Sequence, residues 1–205
     1  MPQAVNATLI IDVQNDFCPG GALAVQQGDQ VVDPCNQLIA QSDLCVLTQD
    51  WHPAGHSSFA SSHDADPFTT TQMAYGPQTL WPDHCVQGSA GAAFHPALNT
   101  DPAQLILRKG MNAAIDSYSA FFENDQTTAT GLAGWLRAHG VTHLIMAGLA
   151  TDFCVAWSVL DARKEGFEVS LILPACRAID LDGSLDAALS SLQQAGVLIH
   201  ESLAL

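Results

Sequence analysis

The segment AGLATDFCVAW, residues 147–157, contains a cysteine in a position that suits a nucleophile. The apolar run before it predicts a strand ending at Gly148, and the Thr-Asp pair at 151–152 is typical of a helix start. Cys154 then lies in the first turn of a helix, where unpaired backbone N–H groups and the helix dipole lower a thiol pKa and can hold an oxyanion. A buried, inert thiol is the alternative, and it is the interpretation kept for Cys18, Cys35, Cys45 and Cys176.

Two further side chains could activate such a thiol. Asp12 ends the apolar run LIID, where partial burial would raise its pKa towards neutrality and make it a general base. Lys109 is one of only two lysines and ends the run LILRK. A cation there would stabilise negative charge on the thiolate and the substrate. Taken singly, Asp12 could equally be a turn residue and Lys109 an ordinary surface lysine.

A second group of residues has the chemistry of a metal site. Asp50 and His52 are separated by one residue in DWHPAGHSSF, and His84 follows in WPDHC. Two histidines and one carboxylate leave coordination positions open for water or substrate, and they suit zinc or divalent iron or manganese. His56 and Cys85 are ligand types close by, for which supporting or packing roles are favoured.

The elements that must position these residues are short apolar runs separated by segments of helical length. The runs suit strands buried on both faces of a parallel sheet, and they span 7–13, 44–49, 104–109, 143–148, 168–173 and 196–200. Helices are predicted at about 29–42, 125–139, 152–166 and 183–195. The alternation predicts one domain over 1–205, an open, Rossmann-like, three-layer α/β/α fold with a mostly parallel, six-stranded sheet.

In such sheets ligands bind beyond the carboxyl ends of the strands, and the reactive residues all follow predicted strands at that edge. One connection, at about 50–103, carries six of the ten prolines and shows no sustained periodicity. A loop of this length in a compact domain is usually functional, so we expect it to bind metal and substrate.

The composition narrows the range of partners. The chain has 205 residues, with 21 acidic against 6 Lys and Arg side chains and a formal charge of −15. This excess of negative charge argues against nucleic acid or a membrane surface as a binding partner, and it favours a neutral or cationic small molecule as the ligand. The N-terminus lacks the features of a secretory signal, and no CxxC pair occurs, so a reducing, cytoplasmic location is expected.

Five motifs, in order, resemble those of the isochorismatase-like cysteine hydrolases and, among them, the nicotinamidases. They are IIDVQNDFCPGGALAV, TQDWHPAGHSSFAS, WPDHCVQGSAGAAFHP, KGMNAAIDSYSAF and GLATDFCV. The likeness runs from about residue 8 to residue 200, which is nearly the whole chain.

The resemblance implies a role for each group of residues. The catalytic triad would be Asp12, Lys109 and Cys154, and the metal would be held by Asp50, His52 and His84. A non-proline cis peptide is implied at Leu149–Ala150, with an oxyanion site formed by the N–H groups of Ala150 and Cys154. The substrate pocket would be lined by Phe17, Leu23, Trp81 and Tyr118.

The implied activity is hydrolysis of nicotinamide to nicotinate and ammonia through a cysteine thioester, as a step of NAD salvage, with pyrazinamide as a second substrate. Zinc is the first choice of metal, and the pyridine nitrogen would displace its water. Two alternatives stay open: an amidase of the same family that acts on a different small amide, and a catalytically silent metal-binding module. The sequence does not determine whether the chain forms a homodimer.

Overall fold

The computed structural model describes residues 5–203, and its centre is a sheet of parallel strands. These strands are β1 (Val5–Ile11), β2 (Cys45–Asp50), β5 (Leu105–Lys109), β6 (Val141–Leu149), β7 (Glu168–Arg177) and β8 (Leu198–His200). Their order across the sheet is β5-β2-β1-β6-β7-β8, and every neighbouring pair is parallel. The predicted six-stranded sheet is therefore confirmed.

Four helices accompany the sheet: α1 (Val32–Ala40), α2 (Leu132–Ala138), α3 (Ala156–Lys164) and α4 (Ser184–Gln194). All six residues of β2 are buried, as expected of a strand covered on both faces. The edge strand β5 alternates in exposure, with Ile106 on its open face. The α/β class and its layers agree with the expectation from the apolar runs.

The helix predicted at 125–139 was placed too early and begins only at Leu132. The cause is local turn chemistry, because the Asp125 carboxylate accepts hydrogen bonds from the backbone N–H groups of Thr127 and Thr128. Gly131, at φ 94°, then starts the helix from a left-handed conformation.

The long connection after β2 contains more order than its sequence indicated. A 3₁₀ turn occupies Ala60–His63, and β3 (Thr70–Met73) pairs antiparallel with β4 (Gly76–Thr79) as a separate ribbon. In the part of the chain that the structure describes, no helix has the length and apolar character needed to cross a membrane.

Candidate active site

Three charged side chains meet at the carboxyl edge of the sheet. Asp50 and Lys109 are the last residues of β2 and β5 and are paired in register, while Asp12 directly follows β1 in a left-handed conformation, φ 48°. Gly148 permits the close packing of β6 against β1, because a Cβ there would lie 2.1 Å from the Ile11 carbonyl oxygen. The sheet register therefore brings residues distant in sequence to one point.

The Lys109 ammonium is the centre of this cluster. Its Nζ lies 2.8 Å from Asp12 Oδ2 and 2.7 Å from Asp50 Oδ1, and it donates to the Ser117 carbonyl at 2.9 Å. Its side chain has no solvent exposure. Burial alone would lower the Lys109 pKa, but the two carboxylates outweigh it and hold that pKa well above its usual value. Lys109 is therefore a permanent cation.

Cys154 lies in a π-helical turn, Thr151–Val155, which connects β6 to α3. Its Sγ is 3.5 Å from Lys109 Nζ. This sulfur, one carboxylate oxygen of Asp12 and one of Asp50 all lie within 4.8 Å of one another. The peptide bond before this turn, Leu149–Ala150, is cis, as predicted. The Cys154 thiol, the Asp12 carboxylate and the Lys109 ammonium therefore lie close together.

The expectation of a lowered Cys154 pKa is wrong. Burial raises the pKa of this thiol well above its usual value, Lys109 opposes that shift, and Asp12 adds to it. The position at a helix start does not compensate for a setting that is buried and lined by carboxylates. A raised pKa favours the protonated thiol, which needs a base to release its proton.

Asp12 has the properties of that base. Burial raises its pKa, with Lys109 acting against this shift and Asp50 adding to it. Its Oδ1 accepts a hydrogen bond of 2.6 Å from the Thr48 hydroxyl. Its Oδ2 lies 2.8 Å from Lys109 Nζ and has no other hydrogen-bond partner among the described residues. One carboxylate oxygen is oriented by Thr48, and the other has a lone pair for a proton.

The three predicted metal ligands also meet. Asp50 Oδ2 lies 3.2 Å from His52 Nε2 and 3.5 Å from His84 Nε2, and all three side chains are buried. His84 reaches this place because a short parallel bridge between His52 and Val86 docks its segment beside β2.

The remaining atoms of these residues are arranged as in a metal site. His52 Nδ1 donates to the Gly110 carbonyl at 3.0 Å and His84 Nδ1 to the Pro82 carbonyl at 2.8 Å, so each Nε2 keeps a lone pair. Gly110 leaves room for the His52 ring, since a Cβ there would lie 2.5 Å from its Cε1. Two imidazoles and a carboxylate of this kind suit zinc or another divalent ion.

His56 and Cys85 lie beside the three predicted ligands, and His56 forms a second group of potential ligand atoms with His52 and Asp116. His56 Nδ1 is 2.8 Å from the Ser58 hydroxyl and its Nε2 is 2.8 Å from the Asn112 carbonyl, so both nitrogens are engaged. Its ring packs at 4.4 Å from that of His52. The Cys85 thiol is buried, and its backbone carbonyl accepts the His52 N–H at 3.0 Å.

A cavity lined mainly by aromatic and aliphatic side chains lies beside Cys154. Its walls include all four predicted pocket residues, Phe17, Leu23, Trp81 and Tyr118, together with Ala150, Asp50 and His84. Trp81 donates from Nε1 to the Tyr118 hydroxyl at 3.0 Å, which fixes two of the aromatic walls against each other. A mostly apolar lining with a few polar groups is the character of a site for a small aromatic molecule.

Sequence reasoning missed three cavity residues: Asp116, Phe153 and Ile179. Phe153 directly precedes the nucleophile and could have been found from that position. Ile179 lies just beyond β7, but the apolar run indicated a strand ending at 173, whereas β7 continues to Arg177. Asp116 lies in an irregular segment after β5; it belongs to the motif KGMNAAIDSYSAF, but no role was assigned to it there.

The fold and these side chains are those of a hydrolase. The profile of the Isochorismatase domain matches residues 6–202. The nicotinamidase of Acinetobacter baylyi is 53% identical over 199 residues, covering 96% of this chain and 93% of that protein. The chain belongs to the isochorismatase family and, within it, to the nicotinamidases.

Solved structures agree with this assignment. The nicotinamidase/pyrazinamidase of Acinetobacter baumanii has a TM-score of 0.94 and 51% identity to this chain, and the match covers 97% of each chain. The pyrazinamidase of Pyrococcus horikoshii, solved in complex with zinc, has a TM-score of 0.77 and 34% identity, with coverage of 96% of this chain and 99% of that one.

Proposed function

We propose that this chain is an amidohydrolase that converts nicotinamide to nicotinate and ammonia, with Cys154 as nucleophile, Asp12 as general acid and base, and Lys109 as the fixed cation. Its similarity to nicotinamidases over nearly its whole length supports the substrate. The observation that carries the mechanism is that Lys109 Nζ lies within 3.5 Å of Cys154 Sγ and 2.8 Å of Asp12 Oδ2 at the base of an aromatic cavity.

The reaction begins with proton transfer from the Cys154 thiol to Asp12. The raised pKa of Asp12 makes it a stronger base than an exposed carboxylate and brings its proton affinity closer to that of the thiol. The thiolate forms beside the Lys109 ammonium, which stabilises the new negative charge. It then attacks the carboxamide carbon, and a tetrahedral oxyanion forms.

The oxyanion is placed at the start of the π-helical turn, where the N–H groups of Ala150 and Cys154 would donate to it. Protonated Asp12 gives its proton to the amide nitrogen, and ammonia leaves as the C–N bond breaks. The product of this half-reaction is a thioester on Cys154. Asp12, ionised again, takes a proton from a water molecule, and the resulting hydroxide cleaves the thioester to nicotinic acid and a thiolate. The thiolate recovers its proton from Asp12, and nicotinic acid loses its own proton to solvent or to the released ammonia and leaves as nicotinate.

Asp50, His52 and His84 would hold a metal that orients the substrate. A divalent ion held by Asp50, His52 and His84, zinc in the first place, would supply a Lewis acid for the pyridine nitrogen. Lys109 holds Asp50 by its other oxygen at 2.7 Å, so the ligand carboxylate and the catalytic carboxylate share one cation. Phe17, Leu23, Trp81 and Tyr118 would enclose the ring and exclude water.

The substrate assignment is tested by ammonia release from three amides. We expect turnover of nicotinamide and of pyrazinamide, whose ring also has a nitrogen meta to the carboxamide carbon. Benzamide, which has the same carboxamide but no ring nitrogen, should react at least about 100-fold more slowly in kcat/KM, because the orienting contact is lost. Equal rates on benzamide and nicotinamide would favour an amidase of different specificity, and no release from any of them would favour a silent binding module.

Replacement of His84 by alanine tests the metal assignment. We expect bound metal, measured by elemental analysis of the purified protein, to fall from about one ion per chain to well below half, because two ligands remain of three. His63→Ala is the control, since His63 is an exposed histidine of the same connection that only approaches the Ser57 carbonyl. Unchanged metal content in His84→Ala would show that the ligand is misassigned.

The cellular setting that fits this activity is salvage of the nicotinamide released from NAD in the cytoplasm. All six cysteines are free and buried, as a reducing compartment predicts. A free thiol at Cys154 is also what the proposed chemistry requires.

A further inference from the structure

Asp152 is a buried carboxylate with three hydrogen-bond donors, two from one loop and one from the first residue of α4, which follows it. Its Oδ1 accepts from the Ile179 N–H at 3.0 Å, and its Oδ2 accepts from the Asp180 N–H at 2.7 Å and from the Ser184 hydroxyl. The side chain that receives these bonds belongs to the π-helical turn that carries Cys154. The loop that supplies the two backbone donors connects β7 to α4.

This loop needs outside support to keep its shape. Asp180, Asp182 and Gly183 all have left-handed φ angles, of 55°, 51° and 82°. Such conformations are costly for side chains other than glycine and persist where the surroundings hold them. Two consecutive backbone N–H groups of the loop, those of Ile179 and Asp180, are satisfied by the one carboxylate.

Ile179 connects the loop to the substrate. Its side chain is part of the cavity wall, together with Cys154 and Phe153 of the neighbouring turn, whereas Asp152 is not part of that wall. The hydrogen bond from Ile179 N–H to Asp152 therefore sets how far this apolar wall stands from the nucleophile.

We propose that Asp152 is a positioning residue for substrate binding: its carboxylate fastens the loop 178–183 to the nucleophile turn and thereby fixes the Ile179 wall against the substrate ring. It touches neither the substrate nor the reacting atoms, so its effect passes through Ile179. Loosening this clamp widens the cavity, which weakens binding of a small ring more than it slows the chemical step. The inference rests on the proposed hydrolysis of a small heteroaromatic amide.

The first test is a comparison of Asp152→Asn with the native chain on nicotinamide. The asparagine amide has the same shape as the carboxylate, but only its oxygen accepts hydrogen bonds. Its NH2 group faces the remaining donors, so about half of the hydrogen bonds that hold the loop are lost. We expect KM to rise about 5- to 10-fold while kcat changes less than about 3-fold. Asp182→Asn is the matched control, because Asp182 is exposed on the same loop and makes no side-chain hydrogen bond within residues 5–203.

A double-mutant cycle separates a positioning role from general loss of structure. In an Ile179→Ala background the wall is already absent, so adding Asp152→Asn should change KM less than about 2-fold. A rise in KM as large as in the native background would overturn the proposal, as would an unchanged KM in the single variant or a loss confined to kcat.

A milder variant and a second measurement keep the test decisive if Asp152→Asn unfolds. Ser184→Ala removes one of the three donors to Asp152, so we expect a smaller rise in KM than with Asp152→Asn. In an Ile179→Ala background this rise should disappear. An unchanged KM in Ser184→Ala would contradict the positioning role of Asp152. The width of the cavity can also be measured without turnover. The quantity is the rate of Cys154 alkylation by N-phenylmaleimide divided by the rate with iodoacetamide, and mass spectrometry identifies the labelled peptide. Loosening should raise this ratio at least about 3-fold by admitting the bulkier reagent. An unchanged ratio would contradict the positioning role of Asp152 and leave the proposed function standing. Absence of nicotinamide turnover in the native chain would contradict the proposed function and leave the positioning role of Asp152 standing.

Discussion

Replacement of Cys154 by alanine is expected to reduce ammonia release from nicotinamide by at least about 10⁴-fold, since no other group can form the acyl intermediate. Cys154→Ser should be nearly as inactive, because Asp12 and Lys109 are matched to a thiol and a hydroxyl is far less acidic. Both proteins should keep their fold and their metal, since the substitution removes or exchanges one buried atom at a loss of about 1 kcal/mol.

The control for this result is Cys35→Ala, at a buried cysteine whose Sγ only approaches the Ala175 carbonyl, at 3.9 Å. This variant should lose a similar amount of stability and retain full turnover. Activity of Cys154→Ala above a hundredth of the native value would mean that the thioester route is wrong.

Replacement of Lys109 by methionine should have the largest effect on stability of any single substitution at the site. The methionine fills the same volume but leaves the Asp12 and Asp50 carboxylates buried without their shared cation. Removing one member of a buried charge pair destabilises by about 3–5 kcal/mol, so the urea midpoint of unfolding should fall steeply. Turnover should also be lost, because nothing then stabilises the thiolate.

The only other lysine is a matched control. Lys164 is 63% exposed and pairs with one carboxylate, the buried Asp161, at 2.8 Å. Lys164→Met should therefore destabilise clearly less than Lys109→Met, which leaves two buried carboxylates without their cation, and it should leave turnover unchanged. Equal unfolding midpoints for the two lysine variants would contradict the account of Lys109 as a buried, doubly paired cation.

Much of the fold was predictable because its signals are local. Continuous apolar runs indicated all six strands of the sheet, and the alternation with helical segments indicated their parallel arrangement. The failures also have local causes. Asp125 forms a turn that replaces the first half of a predicted helix, and β7 continues past the apolar run as far as Arg177. The β3–β4 ribbon carries too little hydrophobic periodicity to be recognised, since its residues are mainly polar and only one of the eight is buried.

The sequence by itself determined which chemical groups are available and at which edge of the sheet they lie, because strand ends can be read from apolar runs and parallel strands share their carboxyl edge. That was enough to nominate Asp12, Lys109 and Cys154. Only the tertiary structure decided their electrostatic state. The burial of Cys154 and its closeness to the carboxylates of Asp12 and Asp50 depend on side chains that are far apart in sequence, and they raise a thiol pKa that the local helix signal alone would lower. The link from Asp152 to Ile179 likewise exists only where two loops meet.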